Sequence, residues 1–131
     1  MPHMGVWEFY ESLGESPRKD LSPVQQGVAA ICDLRQEVNS GGFDGYFRNW
    51  GGDTAPVALD ALPTALGEEW AGVLRDAMEL FGPTYPASQR EREALMDGLD
   101  RDAALEALDQ RFFDLEGSTD ADALLDAQLA S

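Results

Sequence analysis

Apolar positions along this chain recur at intervals of three and four residues, and nowhere do they alternate with polar ones over a sustained run. That period belongs to amphipathic helices, and the missing two-residue repeat argues against strands. Val6, Phe9, Tyr10 and Leu13 make a first short stripe, with Gly14 placed to stop it and Glu8, Glu11 and Glu15 along the other side. Ser22-Pro23 then opens a core helix, the hydroxyl as cap and the proline at the first helical position. Val24, Val28, Ile31, Cys32, Arg35 and Val38 follow at a period near 3.6, all apolar except Arg35. Gly41-Gly42 is expected to end this helix after about 16 residues.

Phe43, Tyr46, Phe47 and Trp50 come next at i, i+3, i+4 and i+7, a dense aromatic face expected to be buried. Gly51-Gly52 closes it, and Asp53-Thr54 with Pro56 opens another helix, which Pro63 is expected to break or kink and Gly67 to end. From Glu68 to Phe81 the stripe Trp70, Val73, Leu74, Ala77, Leu80, Phe81 predicts a helix stopped by Gly82-Pro83. Residues 83–86 read as extended, and Ser88 caps a mixed-charge helix over Gln89–Met96. Residues 102–115 put Leu105, Leu108, Phe112 and Leu115 on one face. Gly117-Ser118-Thr119 reads as a turn, and Asp120–Leu129 as a last helix with Leu124, Leu125 and Leu129. With no internal repeat, the pattern predicts an all-α protein, one compact domain over residues 1–131 with about six to eight helices.

Charge changes the picture more than size does. Nine Lys plus Arg against 25 Asp plus Glu give a formal net charge of -16. That opposes direct binding to nucleic acid or to an anionic membrane and favours cations or proteins with basic faces. The acidity has two readings from the outset. Lys19 is the only lysine and alanine is abundant, so a GC-rich or salt-adapted genome would also produce a solvated acidic surface.

Catalytic chemistry has little to build on. His3 is the only histidine and lies near a terminus, and Cys32, the only cysteine, sits on an apolar helix face. A Ser-His or Cys-His nucleophile pair is therefore not expected, nor a zinc site. Neither 97–106 nor 114–126 has the alternating ligands and central glycine of a calcium loop, and Gly41-Gly42 and Gly51-Gly52 lack the lysine of a phosphate loop. The expectation is no enzyme, no cofactor and no metal. No stretch approaches the roughly 20 apolar residues of a membrane span, and Glu8 and Glu11 come too early for a signal peptide, so the expected place is the cytoplasm.

The acidic residues are unevenly placed. Residues 97–131 hold 10 acidic and 2 basic residues, the same net charge as the first 96 residues with 15 and 7. The candidate partner-binding surface is therefore Asp97, Asp100, Asp102, Glu106, Asp114, Glu116, Asp122 and Asp126, with Glu8, Glu11 and Glu15 as a secondary stripe. Asp102 and Asp122 suit the positive ends of their helices, whereas Glu106, Asp109, Asp114, Glu116 and Asp126 have no such local reason. Rows of helical carboxylates resemble the phosphates of duplex DNA, about one charge per 1.7 Å of axis, which DNA-binding proteins meet with Arg and Lys.

The segment Glu37-Val38-Asn39-Ser40-Gly41-Gly42-Phe43-Asp44-Gly45-Tyr46-Phe47-Arg48-Asn49 resembles the Glu-x-Asn-x-Gly-Gly-Phe-x-x-Tyr-Phe-x-Asn signature of the family named after DNA mimic protein nineteen. Leu21-Ser22-Pro23, Trp50-Gly51-Gly52 with Pro56 and Leu59, Leu66-Gly67, and Leu108-Asp109-Gln110-Arg111-Phe112-Phe113 extend the likeness over residues 20–130, leaving 1–19 as an N-terminal helix and connector. The resemblance implies an all-helical fold, often a homodimer, without catalytic residues, in which some members present acidic side chains as a DNA surrogate to a transcriptional repressor. The signature residues Glu37, Asn39, Gly41, Gly42, Phe43, Tyr46, Phe47 and Asn49 are then structural. The two asparagines are expected to satisfy exposed backbone groups, and Asp109 to pair with an arginine. Pro63 and Gly45 depart from the family pattern. The expected function is an acidic protein-interaction module that occupies the basic face of a DNA-binding protein. Two alternatives stand beside it: an immunity or antitoxin-like nuclease inhibitor, and a small ligand-binding domain or enzyme using Phe43, Tyr46, Phe47 and Trp50.

Overall fold

A computed structural model of the protein describes residues 5–14, 17–98 and 102–130, and among these it holds seven α-helices and no strand. The short α1 (Val6–Leu13) stops at Gly14, whose φ of 49° suits a residue without a Cβ. α2 (Pro23–Arg48) starts as the sequence predicts. Ser22 Oγ accepts from the Gln25 amide at 3.2 Å, while the Gln25 side chain accepts from the Ser22 amide at 3.0 Å, a reciprocal capping box.

α2 is the centre of the molecule: α1, α3 (Ala55–Ala65), α5 (Gln89–Gly98), α6 (Asp102–Ser118) and α7 (Ala121–Ala130) all pack against it. α4 (Glu68–Met78) completes the packing against α3 and α6. A helix surrounded in this way is buried on nearly every side. Every residue from Gly27 to Arg35 is buried, Asp33 and Arg35 included. Gly27 permits the close crossing with α3, since a Cβ there would lie 2.8 Å from the Ala61 Cβ.

As expected, the glycine pair ends the first helical arm of α2, and a second arm follows it. Gly41 (φ -141°) and Gly42 (φ 69°, ψ -175°) leave helical geometry, and the chain resumes its helix at Phe43. The second arm turns Phe43, Tyr46 and Phe47 fully inward. Phe43 meets Phe112 of α6 edge-on at 5.9 Å, and Phe47 meets Phe81 at 4.9 Å. Burying such a side chain contributes about 2 kcal/mol, so this cluster is a main source of stability.

Several expectations need correction. Trp50 is not part of the buried aromatic face: it sits in a 3-10 turn (Trp50–Thr54) past the end of α2 and is 51% exposed. Val24 is exposed because it lies in the first turn of α2, ahead of the Gly27 crossing, and Leu124 because α7 packs through Ala121, Leu125 and Leu129 instead. Pro63 does not break α3. It stands in the last turn, where its ring removes one amide only, and the helix closes normally with the Leu66 and Gly67 amides on the Leu62 carbonyl. The helix from Glu68 tightens into a 3-10 turn at Glu79–Phe81, and α6 runs through Gly117 to Ser118, where a turn was expected. His3, Glu15 and Asp100 lie outside the described residues. No helix among the described residues is long and apolar enough to cross a membrane.

Candidate functional site

The family-like segment forms a closed structural unit. Asn49 donates from Nδ2 to Glu37 Oε2 at 2.9 Å, tying the end of the second arm of α2 back to the first arm across the kink. Asn39 donates from Nδ2 to Glu116 Oε2 at 3.0 Å. Both asparagines therefore serve carboxylates, not the backbone groups expected of them. Asp109 departs from expectation as well: it pairs with no arginine among the described residues, and its Oδ1 accepts from the Phe43 amide at 2.8 Å. Phe43 opens the second arm, so Asp109 of α6 supplies the N-terminal cap that the glycines cannot. Gly42 has to be glycine for two reasons, its φ of 69° and the Asp109 Oδ2 that would lie 2.5 Å from any Cβ. Burial raises the Asp109 carboxyl above the ordinary range, the Phe43 amide pulls it down, and Asp44 and Glu106 push it up. Tyr46 sits deeper still, its hydroxyl buried without a hydrogen-bond partner and driven far upward by burial.

Arg35 and α1 decide what three of the C-terminal carboxylates do. Arg35 Nε and Nη2 donate to Glu116 at 2.8 Å each, its Nη1 donates to Asp122 at 2.7 Å, and its guanidinium lies 5.3 Å from the centre of the Trp7 ring. Trp7 Nε1 also donates to Asp122, at 3.0 Å, and the Val6 amide donates to Asp126 at 2.6 Å. Hydrogen bonds from Arg35 hold the Asp122 carboxyl below the usual carboxylate range. Three of the predicted partner-binding residues, Glu116, Asp122 and Asp126, thus bind α2, α6, α7 and α1 to one another. Asp114 accepts from Gln110 on its own helix at 2.9 Å.

The other predicted residues that the structure describes face outward. Asp102 and Glu106 are exposed on the N-terminal half of α6, and neither makes a hydrogen bond or ion pair among the described residues. Asp109 continues their row, and Asp44 lies close enough to add to its electrostatic load. Arg48 joins Asp44 to Asp97, with contacts of 3.0 and 2.8 Å. Among the described residues, Asp44, Asp97, Asp102, Glu106 and Asp109 are therefore met in ion pairs by Arg48 alone.

Two buried charges escaped the sequence reading. Asp33, 2% exposed, accepts from Tyr10 Oη at 2.5 Å, Arg18 at 2.5 and 3.0 Å and Thr54 Oγ1 at 2.8 Å. The available signal was its place between Cys32 and Leu34 in a helix with no solvated side. Arg92, fully buried, donates to the carbonyls of Phe47, Asn49 and Pro86 and to Asp53, and so caps the C-terminal end of α2 from α5. Nothing in the mixed-charge run around it marks it out. Cys32 is fully buried, and burial pushes its thiol up to about 12, unsuited to nucleophilic work.

No curated protein and no solved structure matches the chain. The model of the family described as DMP19-like protein does match, over residues 19–130, the region whose kinked α2, Glu37–Asn49 bridge and Asp109 cap have just been described. The chain belongs to the DMP19-like protein family.

Proposed function

We propose that this protein is an acidic interaction module that occupies the basic DNA-binding face of a DNA-binding protein, in the manner of a DNA mimic. The observation that carries the reading is the row on the N-terminal half of α6, where Asp102 and Glu106 are exposed and meet no cation among the described residues. A helix rises about 1.5 Å per residue, so Asp102, Glu106 and Asp109 set three carboxylates over roughly 10 Å, against one phosphate per 3.4 Å on a DNA strand. Asp44 and Asp97 broaden the row from α2 and α5. The density is lower than that of DNA but of the same order, and the spacing is fixed because Leu105, Leu108 and Phe112 anchor the opposite face of α6. An array held rigid in this way binds without the entropy cost of ordering long side chains.

The test is capture of proteins from a lysate of the source organism at low and moderate salt, with native protein and with a Asp102→Asn, Glu106→Gln variant. These two positions leave the internal network intact, which substitution at Glu116 or Asp126 would not. A DNA-binding protein that is retained by the native form, lost with the variant and displaced by duplex DNA is the expected result. Equal capture by both forms, or no specific capture, would leave the acidity as a solvated surface. Capture of a nuclease whose activity is blocked would point to an inhibitor instead.

A further inference from the structure

A groove of about 640 Å³ lies between α1, the 3-10 turn at Arg18–Asp20, α2 and the turn at Trp50. Its walls are Trp7, Tyr10 and Trp50, with Arg18, Gln36 and Glu11 around them. Trp7, Tyr10, Glu11 and Arg18 precede the family-matched residues 19–130, so most of the groove belongs to this chain rather than to the family pattern. Trp50 is half-exposed and Trp7 partly buried, and tryptophan rings at a charged surface are characteristic of interaction hot spots.

The charges in the groove select the occupant. Arg18 is held in a two-armed pair by buried Asp33, so its positive charge is neutralised from within. Glu11 is exposed and makes no hydrogen bond or ion pair among the described residues, which leaves the groove net negative. An anion, a nucleotide included, is disfavoured there. The rings already accept guanidinium groups: Arg18 lies 5.0 Å from the Trp50 ring centre and 5.9 Å from that of Tyr10, and Arg35 lies 5.3 Å from that of Trp7. Aromatic faces beside an unpaired carboxylate are the chemistry that recognises a flat cation. We infer that the groove between Trp7 and Trp50 is a binding site for an arginine side chain of a basic partner, seated on the indoles and paired with Glu11. The inference rests on the proposed function only for the source of the arginine, a basic protein, and places a second contact on α1 and the Trp50 turn, apart from the α6 row.

The probe is a peptide of alternating arginine and glycine, and the control is the same peptide with neutral citrulline for arginine. The readout is the indole N–H signals in a nitrogen-proton correlation spectrum at physiological salt. The chain has three tryptophans, and Trp70, 2% exposed and bonded to Thr119, serves as the internal reference. The Trp7 and Trp50 signals should move saturably with the arginine peptide while that of Trp70 stays. Trp50→Ala should weaken the affinity about fivefold and Glu11→Gln about two- to threefold, both at exposed positions that carry no hydrogen bond among the described residues. Unmoved signals, equal shifts with the citrulline peptide, or undiminished affinity in both variants would overturn the inference. The Asp102→Asn, Glu106→Gln variant keeps the groove and should show the same shifts. Groove binding that survives in that variant while the native form captures no DNA-binding protein would sink the proposed function alone. Shifts that depend on Asp102 and Glu106 but not on Trp50 would sink the groove alone.

Discussion

The N-terminal half of α6 and the stretch from Glu116 to Asp126 carry carboxylates in similar number and use them in different ways. At the C-terminal end of α6 and in the following α7, Glu116, Asp122 and Asp126 are bonded to Arg35, Trp7 and the Val6 amide, and they hold four helices together. In the N-terminal half, Asp102 and Glu106 face solvent, and Asp109 alone works internally, as the cap on Phe43. The difference lies in what each half packs against. The C-terminal half passes Arg35, a buried cation that cannot shed its charge and so requires carboxylates around it. The N-terminal half offers no buried cation to its outward face, so its carboxylates are left to water or to a partner. Acidity by itself is thus a poor guide to an interaction surface: in this molecule three of the eight C-terminal acidic residues singled out as contacts, Glu116, Asp122 and Asp126, are parts of the scaffold.

The sharpest way to break this contrast is at Arg35. Arg35→Met keeps the length of the side chain but strands Glu116 and Asp122 together. Because Asp122 is 52% exposed, the loss should fall somewhat below that of a fully buried pair, at about 2–3 kcal/mol in urea denaturation. A loss under about 0.5 kcal/mol would mean that these carboxylates are as free as those of the other half.

A pH titration sharpens it next, because the two halves should bend the stability curve in opposite senses. Asp122 has a depressed folded carboxyl, so its contribution is present above the ordinary carboxylate value near 4 and is lost as the pH falls through the lower folded value. Asp109 is raised, so its ionised form carries a cost at neutral pH that is relieved as the pH falls through the folded value towards about 4. Thermal melting between about pH 3 and 7 should show the Asp122→Asn variant losing the acid-side decline and the Asp109→Asn variant losing the gain above it. Identical curves for both variants would dissolve the distinction.

The smallest effect on stability is expected where the largest effect on binding is proposed. Asp102→Asn with Glu106→Gln removes an exposed like-charge pair at i, i+4 spacing, so the change should stay within about 0.5 kcal/mol and lean towards stabilisation. A clear loss in the same denaturation experiment would show these carboxylates to be structural after all.

Local features were legible in the sequence and long-range ones were not. The capping box at Ser22–Gln25 and the Ser88 cap on Glu91 each span three residues, within reach of a motif. The aromatic face of Phe43, Tyr46 and Phe47 and the turn at Gly41-Gly42 were equally readable, because helical period and glycine freedom are local properties. Trp50 fell outside that face because the helix ended two residues before it, and end positions are poorly specified by period alone. The partners of the carboxylates were out of reach. Arg35 stands 81 and 87 residues from Glu116 and Asp122, Asp109 stands 66 from Phe43, and Asp126 stands 120 from Val6.

The sequence by itself determined an all-helical chain with its main helix starts, a glycine turn that ends the core helix before the aromatic segment, and a surplus of negative charge. Each of these follows from backbone preferences and composition, which need no knowledge of neighbours. Only the tertiary structure decided which negative charges are spent inside the fold and which face outward. A carboxylate has no preference until a cation or an amide is brought to it, and α2 brings Arg35 and the Phe43 amide to some of them and nothing to Asp102 and Glu106.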